Sequence, residues 1–80
     1  MEEYLATFHT HVSALLTARR LNGEGLTARM APVPRALSSS CGTCVRYAAE
    51  HPHLDWMDAD VEGVYRINSE NGYEPLMRNL

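Results

Sequence analysis

The spacing of apolar residues switches between two periods along the chain and predicts its elements in turn. Glu3 to Phe8 (EYLATF) alternates aromatic, aliphatic and polar residues on a two-residue period, the pattern of a half-buried strand. Val12, Ala14, Leu15, Leu16, Ala18 and Leu21 then recur at spacings of three and four. Thr10 stands where it can cap a helix, and Asn22, Gly23 and Gly25 where they can stop it. Leu26 to Ala31 (LTARMA) alternates again as far as Pro32 and Pro34, whose missing amide hydrogens place this second strand at a sheet edge. Arg35 to Ser40 (RALSSS) reads as a polar loop, and Gly42 to Tyr47 (GTCVRY) has the β-branched and aromatic content of a third strand.

Ala48 to Leu54 is irregular around Pro52. Asp55 or Asp58 can start a second helix on which Met57, Val61, Val64 and Asn68 share a face, weakened by Gly63 and stopped at Asn71 and Gly72. Tyr73 to Met77 (YEPLM) closes the pattern as a short strand that Pro75 restricts to an edge. The expected architecture is therefore α+β: a ferredoxin-like βαββαβ two-layer sandwich, antiparallel sheet order 4-1-3-2, with both helices on one face. In that order the two proline-bearing strands are the edges.

Length and composition narrow the picture. Residues 1–80, with a hydrophobic fraction of 45%, are expected to form a single domain of marginal stability unless a partner helps. Seven arginines, no lysine and ten acids give a net charge of −3, too little positive charge to neutralise a run of phosphates, so nucleic acid is not an expected partner. No apolar run approaches the roughly 20 residues that cross a bilayer, and no helix shows a basic face, so no membrane association is expected. Two cysteines allow one disulfide at most, and the chain shows no export leader, so the expected location is the reducing cytoplasm.

Chain direction in the expected fold gathers His9, Thr10, His11, Arg35, the three serines Ser38 to Ser40 and Cys41 at one end of the sheet, and carries His51 and His53 to the other. Cys41, Cys44, His51 and His53 are all of zinc-ligand type, but a strand at about 3.3 Å per residue separates the two pairs too widely for one ion. No metal site is expected, and His51 and His53 read as loop residues. Cys41 reads as a reactive thiol in a hydroxyl-lined loop, with a helix N-terminus and Arg35 favouring thiolate and His9 or His11 able to donate a hydrogen bond or move a proton. The same residues also fit a buried structural cysteine beside an ordinary serine loop. Residues three apart in a strand point to opposite faces, so Cys41 and Cys44 can pair only if CGTC turns at Gly42; otherwise Cys44 is a core or sheet-face residue.

The run GLTARMAPVPRALSSSCG, residues 25–42, resembles a small bacterial family of selenium or sulfur carrier-like proteins. The opening YLATF, the Ala14, Leu15, Ala18, Leu21, Gly25 pattern and the final NGYEP are similar too, so the likeness covers about nine-tenths of the chain. Members stand alone or are joined to a TusA-like sulfur-transfer domain. The resemblance implies a cysteine that bears sulfur or selenium as a persulfide or selenosulfide, and the match falls on Cys41, surrounded by Pro34, Arg35, Ser39, Ser40 and Gly42. The chain departs from the pattern in the His-rich AAEHPHLDW segment and at Cys44, which leaves open whether Cys44 is a second, resolving thiol.

Two functional expectations follow. In the first, the protein is a carrier rather than an enzyme: Cys41 takes a sulfane sulfur from a donor protein and hands it to an acceptor enzyme, with no cofactor. In the second, it is a non-catalytic ferredoxin-like interaction domain with a structural cysteine, whose helix-free sheet face carries Leu5, Ala31 and Cys44 and pairs with a second copy as a homodimer.

Overall fold

The computed structural model describes residues 1–70 and 72–79. Its elements are β1 (Glu2–Phe8), α1 (His11–Gly23), β2 (Thr27–Pro32), β3 (Thr43–Ala49), a one-turn 3-10 helix (Leu54–Trp56), β4 (Val61–Ile67) and β5 (Tyr73–Arg78). The strands form one antiparallel sheet in the order β2-β3-β1-β4-β5. The class is α+β, but the expected ferredoxin-like sandwich and its 4-1-3-2 sheet are corrected: among the described residues there are one α-helix and five strands. The segment read as a second helix is the 3-10 turn followed by β4, which pairs along β1. Asn71, one of that helix's expected stop residues, lies outside the described residues. The proline-bearing strands β2 and β5 are the two edges, where a missing N–H costs no ladder bond.

A β-bulge explains why β4 mimics a helix. Thr7 pairs with Gly63 while the next residue, Phe8, pairs with Val61, so Glu62 is the extra residue. The slip turns Val61 and Val64, three apart, to the same side of the sheet, and both enter the core beneath α1. A spacing of three in a regular strand would divide them between faces. The β-branched and aromatic residues Val61, Val64, Tyr65 and Ile67 suit a strand, and Gly63 would weaken a helix by about 1 kcal/mol relative to alanine.

α1 starts where expected. Thr10, in extended backbone (φ −132°, ψ 154°), accepts a hydrogen bond from the Ser13 amide at 3.2 Å, filling one of the four unpaired N–H groups of the first turn. Its buried stripe is Ser13, Ala14, Thr17, Ala18 and Leu21, the first four small enough to let the helix lie close on Tyr4, Ala6, Phe8, Val45 and Tyr47. Val12 and Leu16, expected on that stripe, are instead 62% and 49% exposed; they lie about 100° round the helix from Ser13 and Thr17. The Tyr4 and Tyr47 rings stack at 5.3 Å, and burial pushes the Tyr47 phenol well above its usual range while its hydroxyl donates to the Pro52 carbonyl.

On the helix-free face Leu5 and Cys44 are fully buried, with Tyr65 beside them. Ala31 packs at their margin, as do Val33 and Leu37 from the β2–β3 loop. That loop is closed at its base by a hydrogen bond from the Val33 amide to the Gly42 carbonyl, 3.1 Å, and Gly42 adopts φ +74°, a conformation glycine takes without strain. The apolar face expected to pair with a second copy is thus covered within one chain at Leu5 and Cys44.

Strand and helix at residue 63 respond oppositely to one methyl group. A Cβ there would meet the Tyr65 hydroxyl at 3.0 Å and the Met77 carbonyl oxygen at 3.3 Å. Gly63→Ala should therefore lower stability by about 1 kcal/mol or more, whereas in a helix it would raise it by about the same amount. Thermal unfolding of the two proteins reads the sign.

Candidate functional site

The end of β1, the start of α1, the β2–β3 loop and the start of β4 converge at one end of the sheet. Cys41 sits there, half-buried. Its sulfur donates to the Phe8 carbonyl at 3.3 Å and to the Thr43 carbonyl at 3.5 Å, and lies 3.8 Å from the Ser39 hydroxyl. Ser39 itself donates to the same Phe8 carbonyl at 2.9 Å. Two main-chain oxygens, from the last residue of β1 and the first of β3, thus hold the thiol, and the fold sets their positions.

Glu62 fixes the loop that carries it. Freed from regular pairing by the bulge, its carboxylate accepts from the Ser40 amide at 3.1 Å and the Ser40 hydroxyl at 2.8 Å. His9 Nδ1 lies 3.2 Å from the second carboxylate oxygen and 3.4 Å from Ser40 Oγ. Burial pulls the Glu62 carboxyl upward, but the Ser40 side chain and amide, the Ser39 hydroxyl and the His9 charge together outweigh it and hold the group below its ordinary value of 4.5. His11 Nδ1 lies 3.4 Å from Thr43 Oγ1, so His9 touches the cysteine loop and His11 the first residue of β3.

The expected site residues divide clearly. His9, Ser39, Ser40, Cys41 and Gly42 come together. Arg35 lies exposed on a turn closed by the Leu37 amide on the Pro34 carbonyl, 3.0 Å. Among the described residues it makes no hydrogen bond or ion pair, and the sulfur's polar neighbours are oxygens. Cys44 faces the other way, completely buried, with its sulfur 3.6 Å from the Pro32 carbonyl. Burial raises the Cys44 thiol above its ordinary value of 9.0, and the charges of Arg46 and Arg29 offset this only in part. The two cysteines are both free thiols.

His51 and His53 follow the far end of β3. His53, at φ +51°, stacks on Trp56 with ring centroids 4.0 Å apart. Among the described residues no group of three or more His, Cys, Asp or Glu side chains is arranged to hold a metal ion, and no helix is long and apolar enough to cross a membrane. Sequence reasoning missed Glu62 and the Phe8 and Thr43 carbonyls. Main-chain acceptors leave no trace in residue type, and Glu62 was legible only to a reading that recognised the bulge.

Residues 3–76 match the family described as "Putative Se/S carrier protein-like", and the chain belongs to that family. It is also 38% identical over 45 residues to the uncharacterised protein YtiA of Escherichia coli K12, a stretch covering 56% of this chain and 53% of YtiA. The chain thus spans about half the length of that relative. No solved structure matches it.

Two outcomes follow from this geometry. In the folded protein an alkylating agent should modify Cys41 and spare Cys44, which should react only under unfolding conditions; peptide mapping after timed labelling distinguishes them. Because the folded pKa of Glu62 lies below its unfolded value, the ionised carboxylate stabilises the loop at neutral pH, and that contribution is lost as pH falls below about 4.5. The Ser40 amide should accordingly gain hydrogen exchange, relative to the rest of the sheet, as pH drops through that range. Glu62→Gln should show the raised exchange already at neutral pH.

Proposed function

We propose that the protein carries a sulfane sulfur, or the corresponding selenium, on Cys41. The observation that supports this most is the half-buried Cys41 thiol held by the Phe8 and Thr43 carbonyls on a loop tied to Glu62, in a chain of a selenium or sulfur carrier-like family. Such a thiol is fixed in place yet open to a partner on one side.

In the transfer, the Cys41 sulfur attacks the terminal sulfur of a donor persulfide. A new S–S bond forms at Cys41 as the donor's S–S bond breaks, and the donor leaves as a thiol bearing the proton that Cys41 gives up. The sulfane sulfur keeps its oxidation level, so no external oxidant or reductant enters, and the reverse sequence delivers it to the acceptor. His9 and His11 stand within the same cluster as groups able to relay that proton. Arg35 is reassigned from thiolate stabilisation to the loop surface, where it can contact a partner protein. The buried Cys44 is a structural thiol in the resting fold rather than a resolving one, and donor and acceptor proteins are the partners the chemistry requires.

Intact-protein mass spectrometry after purification without reductant tests this. A fraction should carry an additional mass of about 32 for sulfur or about 79 for selenium, lost on reduction. Cys41→Ser should abolish it, and Cys44→Ser should keep it. An adduct that follows Cys44, or none in protein exposed to a persulfide donor, would refute the assignment.

A further inference from the structure

Among the described residues two buried side-chain atoms have no hydrogen-bond partner, Thr7 Oγ1 and Arg46 Nε. Thr7 is only 1% exposed, and it lines a cleft of about 500 Å³ on the helix-free face, a volume typical of sites for small molecules. A hydroxyl buried without a partner is costly, and native proteins rarely leave one so. The sheet register sets the cleft floor. Thr7 pairs with Gly63 and Gly63 with Arg78, so the missing side chain at Gly63 makes room at the cleft floor for the Tyr65 ring. The Tyr65 hydroxyl lies 3.0 Å from where a Cβ would stand. Leu37 and Ser38 of the cysteine loop form one wall, and Glu62, ionised, lines the same space.

A cleft that presents a guanidinium, an ionised carboxylate and several hydroxyls opposes a ligand of one charge sign and suits one that carries both. We propose that it binds the amino-acid end of a small thiol, cysteine or a short cysteine-containing peptide, with the carboxylate on Arg78 and the Tyr65 hydroxyl and the ammonium on Glu62. The cleft shares its edge with the thiol site: Thr7 and His9, either side of Phe8, line it, and the Phe8 carbonyl holds the Cys41 sulfur. The thiol in this assignment rests on the carrier reading; the amino-acid moiety rests on the cleft alone.

The test removes sulfur chemistry. Cys41→Ser protein labelled with ¹⁵N is titrated with S-methylcysteine and S-methylglutathione, neither of which can form a persulfide. Saturable shifts should appear at the amides of Thr7, Ser38 and Gly63. Arg78→Gln should raise the dissociation constant about tenfold or more, as should methyl esterification of the ligand. Tyr65→Phe, which removes a hydroxyl that makes no side-chain hydrogen bond among the described residues, should weaken binding in the same way while leaving the unfolding temperature unchanged. Absence of saturable shifts with both compounds up to about 20 mM, or binding indifferent to Arg78→Gln, overturns the proposal. Chalcogen found on Cys41 of the wild type without cleft binding overturns the cleft and leaves the carrier standing. Cleft binding with Cys41 always bare supports the amino-acid site and removes its link to sulfur.

Discussion

The Glu62 carboxylate and its hold on Ser40 are what the cysteine-bearing end of this molecule depends on. The cysteine loop joins β2 to β3, and a loop of ten residues has many conformations to give up before its thiol can sit in one place. Regular pairing would point residue 62 into the sheet's alternation, but the bulge opposite Thr7 and Phe8 takes it out of register. The carboxylate then reaches the Ser40 amide and hydroxyl together. Two charge-assisted bonds to one residue fix a position and an orientation, and Cys41 is the next residue in the chain.

The central strand β1 does the rest. It is buried on both faces from Tyr4 to Phe8, pairs with β3 and β4 along its length, and ends beside the cap of α1. Its last carbonyl, from Phe8, is therefore among the better fixed acceptors in the protein, and both Cys41 and Ser39 donate to it. A thiol held by main-chain oxygens takes its position from the fold rather than from replaceable side chains.

How much of this the sequence reveals follows from what kind of signal each feature leaves. Proline marks its own place: Pro32 and Pro75 put β2 and β5 at the edges because a missing N–H has one tolerable location. Thr10 marked the helix start, and the loop with Ser39, Ser40, Cys41 and Gly42 was legible as polar, turning and thiol-bearing. Residues 57–68 misled because the bulge at Glu62 gives Val61 and Val64 a helical spacing on an extended chain. Periodicity alone does not separate those cases, whereas the β-branched content of the segment does.

The two cysteines show how far environment, not residue type, decides chemistry. They stand three apart and meet the same solvent composition, yet Cys44 lies in the apolar layer with Leu5 and Tyr65, where burial disfavours its charged form, while Cys41 lies at a polar edge. Thiol exchange proceeds through thiolate and needs access along the S–S axis, and Cys44 lacks both in the folded chain. A resolving role for Cys44 would require β3 to leave Leu5 and Tyr65, exposing apolar surface at a cost of several kcal/mol by the usual area argument. The carrier reading proposed above therefore rests on Cys41, the thiol at the polar edge.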